Sequence, residues 1–181
     1  KGDRPQPKDV FIRLVETIDR FIDFHNSLGS QRGTAELIAC YILATWFLDA
    51  FNVIGYLWPN GQKGSGKTQL ILLIAELSYL GQAILNGSSY ASMRDLANFG
   101  ATLAFDDAEN ISKEEKLDAD KRALLLAGNR KGNQVGLKVK NGKNWDTVYI
   151  NTYCPRVFSA INLPDPVLAS RTIVIPLVRS D

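Results

Sequence analysis

The stretch Gly61-Gln62-Lys63-Gly64-Ser65-Gly66-Lys67-Thr68 decides the fold of this chain. It fits the pattern G-x-x-x-x-G-K-[ST] of a phosphate-binding loop, and we call it the P-loop. Its glycines let the backbone turn tightly and direct N–H groups toward an anion. We expect Lys67 to reach the terminal phosphates of ATP and the Thr68 hydroxyl to coordinate Mg²⁺. The predicted nucleotide-binding residues are Gly61, Gln62, Lys63, Gly64, Ser65, Gly66, Lys67, Thr68 and Gln69.

The segments on either side of the P-loop support this interpretation. The apolar run 53–58 comes just before it and predicts a buried strand, while residues 69–77 just after it predict a helix. The order strand, glycine-rich loop, helix is the context in which this pattern binds phosphate, because the N-terminus of the helix also attracts anions. A chance run of glycine and lysine is therefore disfavoured.

Composition and charge set the general class of the protein. The chain has 181 residues, of which 45% are apolar and 22% charged, as expected for one globular domain with a sizeable core. A net charge of +2 does not by itself indicate nucleic acid, so any basic patch must be local. Cys40 and Cys154 lie far apart, and His25 is the only histidine, so the sequence carries no zinc pattern. We predict two reduced thiols and a cytoplasmic location.

The first part of the chain predicts a small N-terminal unit in front of the main domain. We assign residues 1–33 to a linker and an amphipathic helix, and residues 34–181 to the core. Thr34 is the predicted N-cap of a second, buried helix over 35–50. The segment from Leu37 to Trp58 is mostly apolar, but an acidic residue interrupts it. It therefore predicts a buried helix followed by a strand and no membrane span.

Strand-like and helix-like segments alternate along the rest of the chain. This alternation predicts an α/β fold of three layers, with a mostly parallel sheet flanked by helices. Asn141-Gly142 lies between alternating runs within 134–153 and predicts a β-hairpin inserted before the next strand. Ligands of such folds bind at the carboxyl ends of the strands. The further predicted strands are 83–85, 102–105, 157–161 and 172–175, and the further predicted helices are 90–99 and 112–127.

Polar side chains follow two of these strands at the predicted ligand edge. Asp106 ends a buried strand and is expected to hold Mg²⁺ together with Thr68. The alternative is an acidic residue that stabilises the N-terminus of the next helix. Asp107 and Glu109 come directly behind, and either is a candidate to orient the attacking water. Asn162 follows another strand, where it is a candidate to contact the γ-phosphate, or else an ordinary turn residue.

Basic residues late in the chain allow two interpretations each. Arg171 precedes the last predicted strand and forms either a surface salt bridge or an arginine finger that reaches the nucleotide of a neighbouring subunit. Lys138, Lys140 and Lys143 surround the hairpin tip. They either contact nucleic acid phosphates or keep a solvated hairpin from pairing at its edges, and the residues alone favour the second interpretation.

The order of these parts, roughly from Thr34 to Val178, resembles an AAA+ ATPase core. It is most similar to the superfamily-three and minichromosome-maintenance group, and above all to the primase–helicases of phages, plasmids and other mobile elements. Residues 61–68 correspond to Walker A, and residues 102–109 to Walker B. Asn162 falls at the sensor-1 position, and Arg171 in the arginine-finger segment. The hairpin resembles the pore hairpin of the family, whose lysines touch DNA, and this favours a DNA-binding role for Lys138, Lys140 and Lys143.

The sequence also departs from the family pattern. Asp107 stands where many relatives have a catalytic glutamate, so the shorter side chain must hold the water differently, and Glu109 is a candidate to share that role. No helical lid follows the last predicted strand within this chain, so no sensor-2 arginine can be named.

The resemblance implies a ring-forming ATPase, hexameric, that couples Mg-ATP hydrolysis to translocation on DNA, with single-stranded DNA as the partner and no membrane. One alternative is a nucleotide-dependent switch or loader that acts on protein partners without translocation. A second alternative is a phosphotransferase acting on a small molecule. That enzyme would need a substrate lid, and it explains neither the hairpin nor Arg171.

Overall fold

The structure, a computed structural model, describes residues 4–25, 27, 29–84, 90–108, 124, 126–142 and 144–179. Glu109, Lys143 and nearly all of the predicted helix 112–127 lie outside the described residues. The helices are α1 (Pro7–Phe21), α2 (Gln31–Trp46), α3 (Lys67–Leu77), α4 (Tyr90–Asn98) and α5 (Pro166–Ala169), with a 3₁₀ turn at Leu48–Ala50. The strands are β1 (Tyr56–Asn60), β2 (Gln82–Ile84), β3 (Leu103–Phe105), β4 (Gln134–Asn141), β5 (Asn144–Asn151), β6 (Arg156–Phe158) and β7 (Thr172–Pro176).

The predicted α/β fold is confirmed. Within the described residues, five strands form one parallel sheet in the order β2-β3-β6-β1-β7, and β4 and β5 form a separate antiparallel hairpin. The strand before the P-loop, β1, thus lies between β6 and β7. Strand β6 separates it from β3, which leads to Asp106. The carboxyl ends of all five strands meet at one edge, as the sequence analysis expected.

Successive residues of the strands belong to two separate hydrophobic clusters, one on each face of the sheet. Leu57 and Val157 belong to a cluster that also holds the buried residues of α1, α2 and α3. Their neighbours Trp58 and Phe158 belong to a second cluster on the other face, together with residues of α4 and α5. A sheet buried on both faces needs apolar side chains at every position, which is why its strands read as continuous apolar runs.

The start of α2 differs from the prediction. Ser30, not Thr34, is the N-cap, because Ser30 is extended (φ −72°, ψ 144°) and its side chain accepts a hydrogen bond from the Gly33 N–H at 3.0 Å. Thr34 lies inside the first turn and donates its N–H to the Ser30 carbonyl. The helix also ends earlier than expected, at Trp46. Within the part of the chain that the structure describes, no helix is long and apolar enough to cross a bilayer.

The inserted hairpin is confirmed, but its turn lies one residue later than Asn141-Gly142. Asn141 pairs with Asn144 and therefore belongs to the ladder, and Gly142, directly after it, has the left-handed φ of 61° that favours glycine. At the base of the hairpin, Val135 packs against the second core. The hairpin is therefore anchored at its base, while its outer part extends from the body.

Candidate nucleotide site and hairpin surface

The P-loop connects β1 to α3 at the carboxyl edge of the sheet. Gly64 and Gly66 have φ of 84° and 86°, and Gly66 is the residue that opens α3. Gly61 is needed for a different reason, since a side chain there would overlap the Leu177 carbonyl and the Ser65 hydroxyl. The glycines thus serve both the curl of the loop and its close packing against the end of β7.

Two polar side chains of the loop are buried within it. Lys67 is 8% exposed, and its Nζ donates to the carbonyl oxygens of Gly61 at 2.7 Å and Gln62 at 2.9 Å. The Ser65 hydroxyl is buried and has no hydrogen-bond partner among the residues that the structure describes. The loop therefore holds a cation and an unsatisfied hydroxyl at the N-terminus of a helix, which is a suitable environment for a phosphate group.

The structure brings Thr68 and Asp106 together. The Thr68 hydroxyl donates to Asp106 Oδ2 at 2.7 Å, although 38 residues separate the two along the chain. The other carboxylate oxygen of Asp106 accepts a short hydrogen bond from the hydroxyl of Ser159, which is fully buried. Oxygen atoms of a hydroxyl and a carboxylate are the ligands that Mg²⁺ prefers, so this pair fits the ion that a nucleotide would bring.

Asp107 is exposed and has an unusual backbone. Its φ is 52°, in the left-handed region that aspartate tolerates better than most residues but that still costs free energy. Its N–H donates to the Ser159 hydroxyl at 3.2 Å, so one serine fixes both acidic residues. The left-handed turn directs the chain away from β3 directly after Asp106. Glu109, the second candidate for orienting water, lies outside the described residues.

Asn162 is exposed and lies beyond the end of β6. Its main-chain carbonyl accepts a hydrogen bond from Trp58 Nε1 at 3.0 Å. Nearer to the P-loop is Asn60, whose Nδ2 donates to the carbonyls of Ala160 and Ile161 at 3.2 and 2.8 Å. Asn60 and Ser159 could not be identified from the sequence, since a single polar residue at a strand end gives no signal of which strand will lie beside it.

A cleft of about 220 Å³ adjoins the loop between α1 and α3. Gln69 lines it, together with Phe21 and Asp23 from the end of α1. Arg179 is a further cation near the loop, in addition to Lys63 and Lys67, and no signal in the sequence identified it. Its Cδ and Nε lie 4.0 Å from the position that a Cβ on Gly64 would take, and the side chain is exposed.

Arg171 lies at the opposite edge of the sheet from its own P-loop. Strand β7 runs parallel to β1 and in register with it, with Thr172 opposite Tyr56 at the amino end. The length of the strand, about 16 Å at about 3.3 Å per residue, therefore separates Arg171 from Gly61. Its Nη1 donates to the Leu126 carbonyl at 2.6 Å. Arg171 therefore lies away from the candidate nucleotide site of its own chain.

A buried arginine organises the same amino edge. Arg156 is fully buried and donates to the Tyr56 hydroxyl at 2.9 Å and to the Thr152 carbonyl, at the base of the hairpin, at 3.0 Å. A side chain at Gly128 would overlap its guanidinium group, so glycine is required there. Burial raises the pKa of the neighbouring Cys154 thiol, even though Arg156 opposes the shift. Arg156 thus ties β1, β6 and the hairpin base together.

The two described lysines of the hairpin lie on one face. Lys138 pairs with Thr147 and Lys140 with Trp145, at alternate positions of the ladder. Lys138 Nζ donates to the Thr147 hydroxyl at 2.8 Å, and both lysines are exposed. Lys143, the third predicted DNA contact, lies outside the described residues.

Comparisons with known proteins find similarity only among solved structures. No family model matches the chain, and no curated protein matches it. The chain is similar to JCV helicase, solved with a small organic molecule bound, with a TM-score of 0.49 and 14% identity over 96% of this chain and 52% of that one. It is also similar to the apo C-terminal region of NrS-1, with a TM-score of 0.47 and 14% identity over 98% and 39% of the two chains. This chain therefore spans about half of the first protein and about two fifths of the second.

Proposed function

We propose that this chain is the ATP-hydrolysing motor domain of a ring-forming DNA helicase with an AAA+ core, in which Mg-ATP hydrolysis drives translocation on DNA. One observation carries the proposal. The Thr68 hydroxyl and the Asp106 carboxylate meet at 2.7 Å beside a buried Lys67, at the carboxyl edge of a parallel sheet. This is the arrangement that phosphoryl-transfer sites of P-loop proteins require.

Each residue of the nucleotide site has a distinct role in this proposal. Thr68 and Asp106 hold Mg²⁺, which when bound neutralises charge on the phosphate oxygens. Lys67 exchanges its two carbonyl partners for phosphate oxygens. Ser65, buried and without a partner among the described residues, donates to the same phosphate chain. Gln69 lines the adjoining cleft, and we propose that this cleft holds part of the nucleoside.

Three further residues complete the proposed hydrolysis site. Asp107, together with Glu109, orients the attacking water, and the left-handed backbone of Asp107 sets the direction in which its carboxylate leaves β3. Asn162 senses the γ-phosphate from the loop after β6. Asp107 and Glu109 follow the Mg²⁺ ligand Asp106 after β3, and Asn162 follows the neighbouring strand β6. In this proposal, loss of the γ-phosphate would therefore alter contacts at the ends of both strands.

Arg171 acts on the neighbouring subunit in this proposal. It lies at the edge of the sheet opposite its own P-loop, so a head-to-tail ring would direct it toward the next subunit's nucleotide. The hairpin lysines 138, 140 and 143 then face the central channel and contact DNA phosphates. A hexamer is the ring size that we propose.

ATP turnover with and without single-stranded DNA is the first test, with Lys67→Ala as the control. A DNA motor predicts that DNA stimulates turnover and that the control loses it. Replacement of lysines 138, 140 and 143 by alanine should abolish the stimulation while leaving basal turnover unchanged. Turnover that does not respond to DNA would instead support a switch or loader that acts on protein partners.

A mixing experiment tests the role of Arg171. The variants Lys67→Ala and Arg171→Ala should each be inactive alone, because every site lacks one essential group. In a ring assembled from an equal mixture, a site is complete where the intact P-loop of an Arg171→Ala subunit lies beside Arg171 of a Lys67→Ala subunit. About one quarter of the interfaces are then complete, so about a quarter of wild-type turnover should return. Absence of any recovery would refute action between subunits.

A further inference from the structure

One face of the hairpin combines cations with two aromatic rings. The antiparallel register places Trp145 opposite Lys140 and Tyr149 opposite Gly136. Side chains alternate between the two faces of a strand, so residues at even spacing share a face. We call this surface the aromatic–lysine face. It consists of Gly136, Lys138, Lys140, Trp145, Thr147 and Tyr149.

Neither aromatic ring contributes to the core. Trp145 is 63% exposed and Tyr149 is 67% exposed. Neither Trp145 Nε1 nor the Tyr149 hydroxyl has a hydrogen-bond partner among the residues that the structure describes. The opposite face of the hairpin carries the aliphatic side chains, and there Val135 packs against the second core. The rings thus lie on a face of the hairpin that the described residues leave exposed.

The residue opposite Tyr149 adds no side chain beside its ring. Gly136 has no side chain, and the ring carbons Cε1 and Cδ1 lie 3.5 and 3.8 Å from the position that a Cβ there would take. A larger residue at Gly136 would cover part of the ring, as cross-strand neighbours usually do. Trp145 has only the aliphatic stem and ammonium of Lys140 opposite it.

We propose that the aromatic–lysine face binds single-stranded nucleic acid by stacking unpaired bases on Trp145 and Tyr149. Lys138 and Lys140 neutralise the phosphates of the same strand. Every base has a π-face, so such contacts tolerate any sequence, but they require bases that are free of a duplex. The rings are four residues apart on one strand, about 13 Å, and therefore accept two separate bases. This inference rests on the proposed function and deepens it, since the hairpin would recognise unpaired bases in addition to phosphate charge.

The test is the binding of a fluorescent single-stranded oligonucleotide, compared with an abasic strand of equal length and charge, in the presence of a non-hydrolysable ATP analogue. Trp145→Ala and Tyr149→Ala should each weaken binding of the strand with bases by about 5- to 150-fold. Binding of the abasic strand should not change. The matched control is Val148→Ala, which removes an exposed side chain from the opposite face of the same strand.

Two further readouts separate stacking from charge. Because an aromatic residue releases no counterions, Trp145→Ala should leave the salt dependence of binding unchanged, whereas Lys138→Ala should reduce its slope by about one. Trp145→Phe should retain most of the affinity, since it keeps a ring. The bases should also quench the tryptophan fluorescence of the wild type, and Trp145→Phe should lose that quenching.

Failure of this inference and failure of the proposed function give different results. If the wild type binds strands with and without bases equally, while DNA still stimulates ATP turnover, base stacking is refuted but the proposed motor function is still supported. If the alanine variants lose assembly of the ring and the Val148→Ala control does not, the rings contact another subunit and the inference is wrong. If no strand binds and none stimulates turnover, both proposals fall.

Discussion

Ser159→Ala is an informative single change at the candidate nucleotide site. The Ser159 hydroxyl donates to Asp106 Oδ1 and accepts the N–H of Asp107, and the residue is fully buried, so water cannot replace it. The bond to the carboxylate is charge-assisted and contributes about 1.5–3 kcal/mol, and the bond from the N–H about 1 kcal/mol. We expect the free energy of unfolding to fall by about 2.5–4 kcal/mol. Because Asp106 loses its orientation, Mg²⁺-dependent nucleotide binding should also weaken by about 10- to 100-fold.

Urea denaturation without nucleotide measures the first effect, and Mg²⁺ titration of a fluorescent ATP analogue measures the second. Thr102→Val is the matched control. The Thr102 hydroxyl is also fully buried next to β3 but has no hydrogen-bond partner among the described residues, so its removal should change stability by less than about 0.5 kcal/mol. Equal Mg²⁺ titrations for Ser159→Ala and Thr102→Val would refute the claim that Ser159 positions Asp106.

Two further predictions concern the amino edge of the sheet. Gly128→Ala places a methyl group against the buried Arg156 guanidinium. It should lower the free energy of unfolding by about 3 kcal/mol or more, through overpacking and lost hydrogen bonds, as chemical denaturation can measure. Gly136→Ala meets only ordinary contacts and should cost less than about 1 kcal/mol. Burial raises the pKa of Cys154, so its thiolate is scarce at pH 8, whereas Cys40 is exposed. Mass spectrometry of the alkylated native protein should therefore show modification at Cys40 only, and rapid labelling of Cys154 before unfolding would contradict its burial.

Features encoded in contiguous sequence could be predicted well. The P-loop and its flanking strand and helix follow one another without interruption, and each has a local signal in glycine spacing or apolar runs. The hairpin could be predicted equally well, because alternation of apolar and polar residues and an Asn-Gly pair are local patterns. Its turn shifted by one residue because Asn141 joins the ladder and leaves Gly142 to supply the left-handed backbone.

Local choices between similar residues could not be decided in the same way. Ser30 and Thr34 are both good N-caps, and only the extended backbone at Ser30 shows where α2 begins. The short helix α5 was missed, although Asp165 followed by a proline is a local cap signal that could have identified it. Its side chain accepts the N–H groups of Val167 and Leu168 at 2.9 and 3.1 Å.

The contact between Thr68 and Asp106 could be predicted from two recognised motifs, but the distant contacts of Ser159 and Arg156 had no signal in the sequence. Ser159 meets Asp106 only because β6 lies beside β3, and Arg156 meets Tyr56 only because β6 also lies beside β1. Nothing near Ser159 or Arg156 in the chain distinguishes them from an ordinary strand serine or a surface arginine. A single sequence predicts which strands exist, but the strand order decides which polar side chains share a site.

The strand order also explains how the two edges of the sheet can communicate. Strand β6 is three residues long, and it carries Arg156 at its start and Ser159 directly after its end. Ser159 holds the acidic residues beside the P-loop, while Arg156 holds the Thr152 carbonyl at the hairpin base. Strand β6 therefore connects the acidic residues beside the P-loop to the base of the hairpin through hydrogen bonds at its two ends. In the proposed function, a displacement of β6 that follows a change at Asp106 would reach the hairpin base through this strand, and the hairpin would need no separate linkage to the nucleotide.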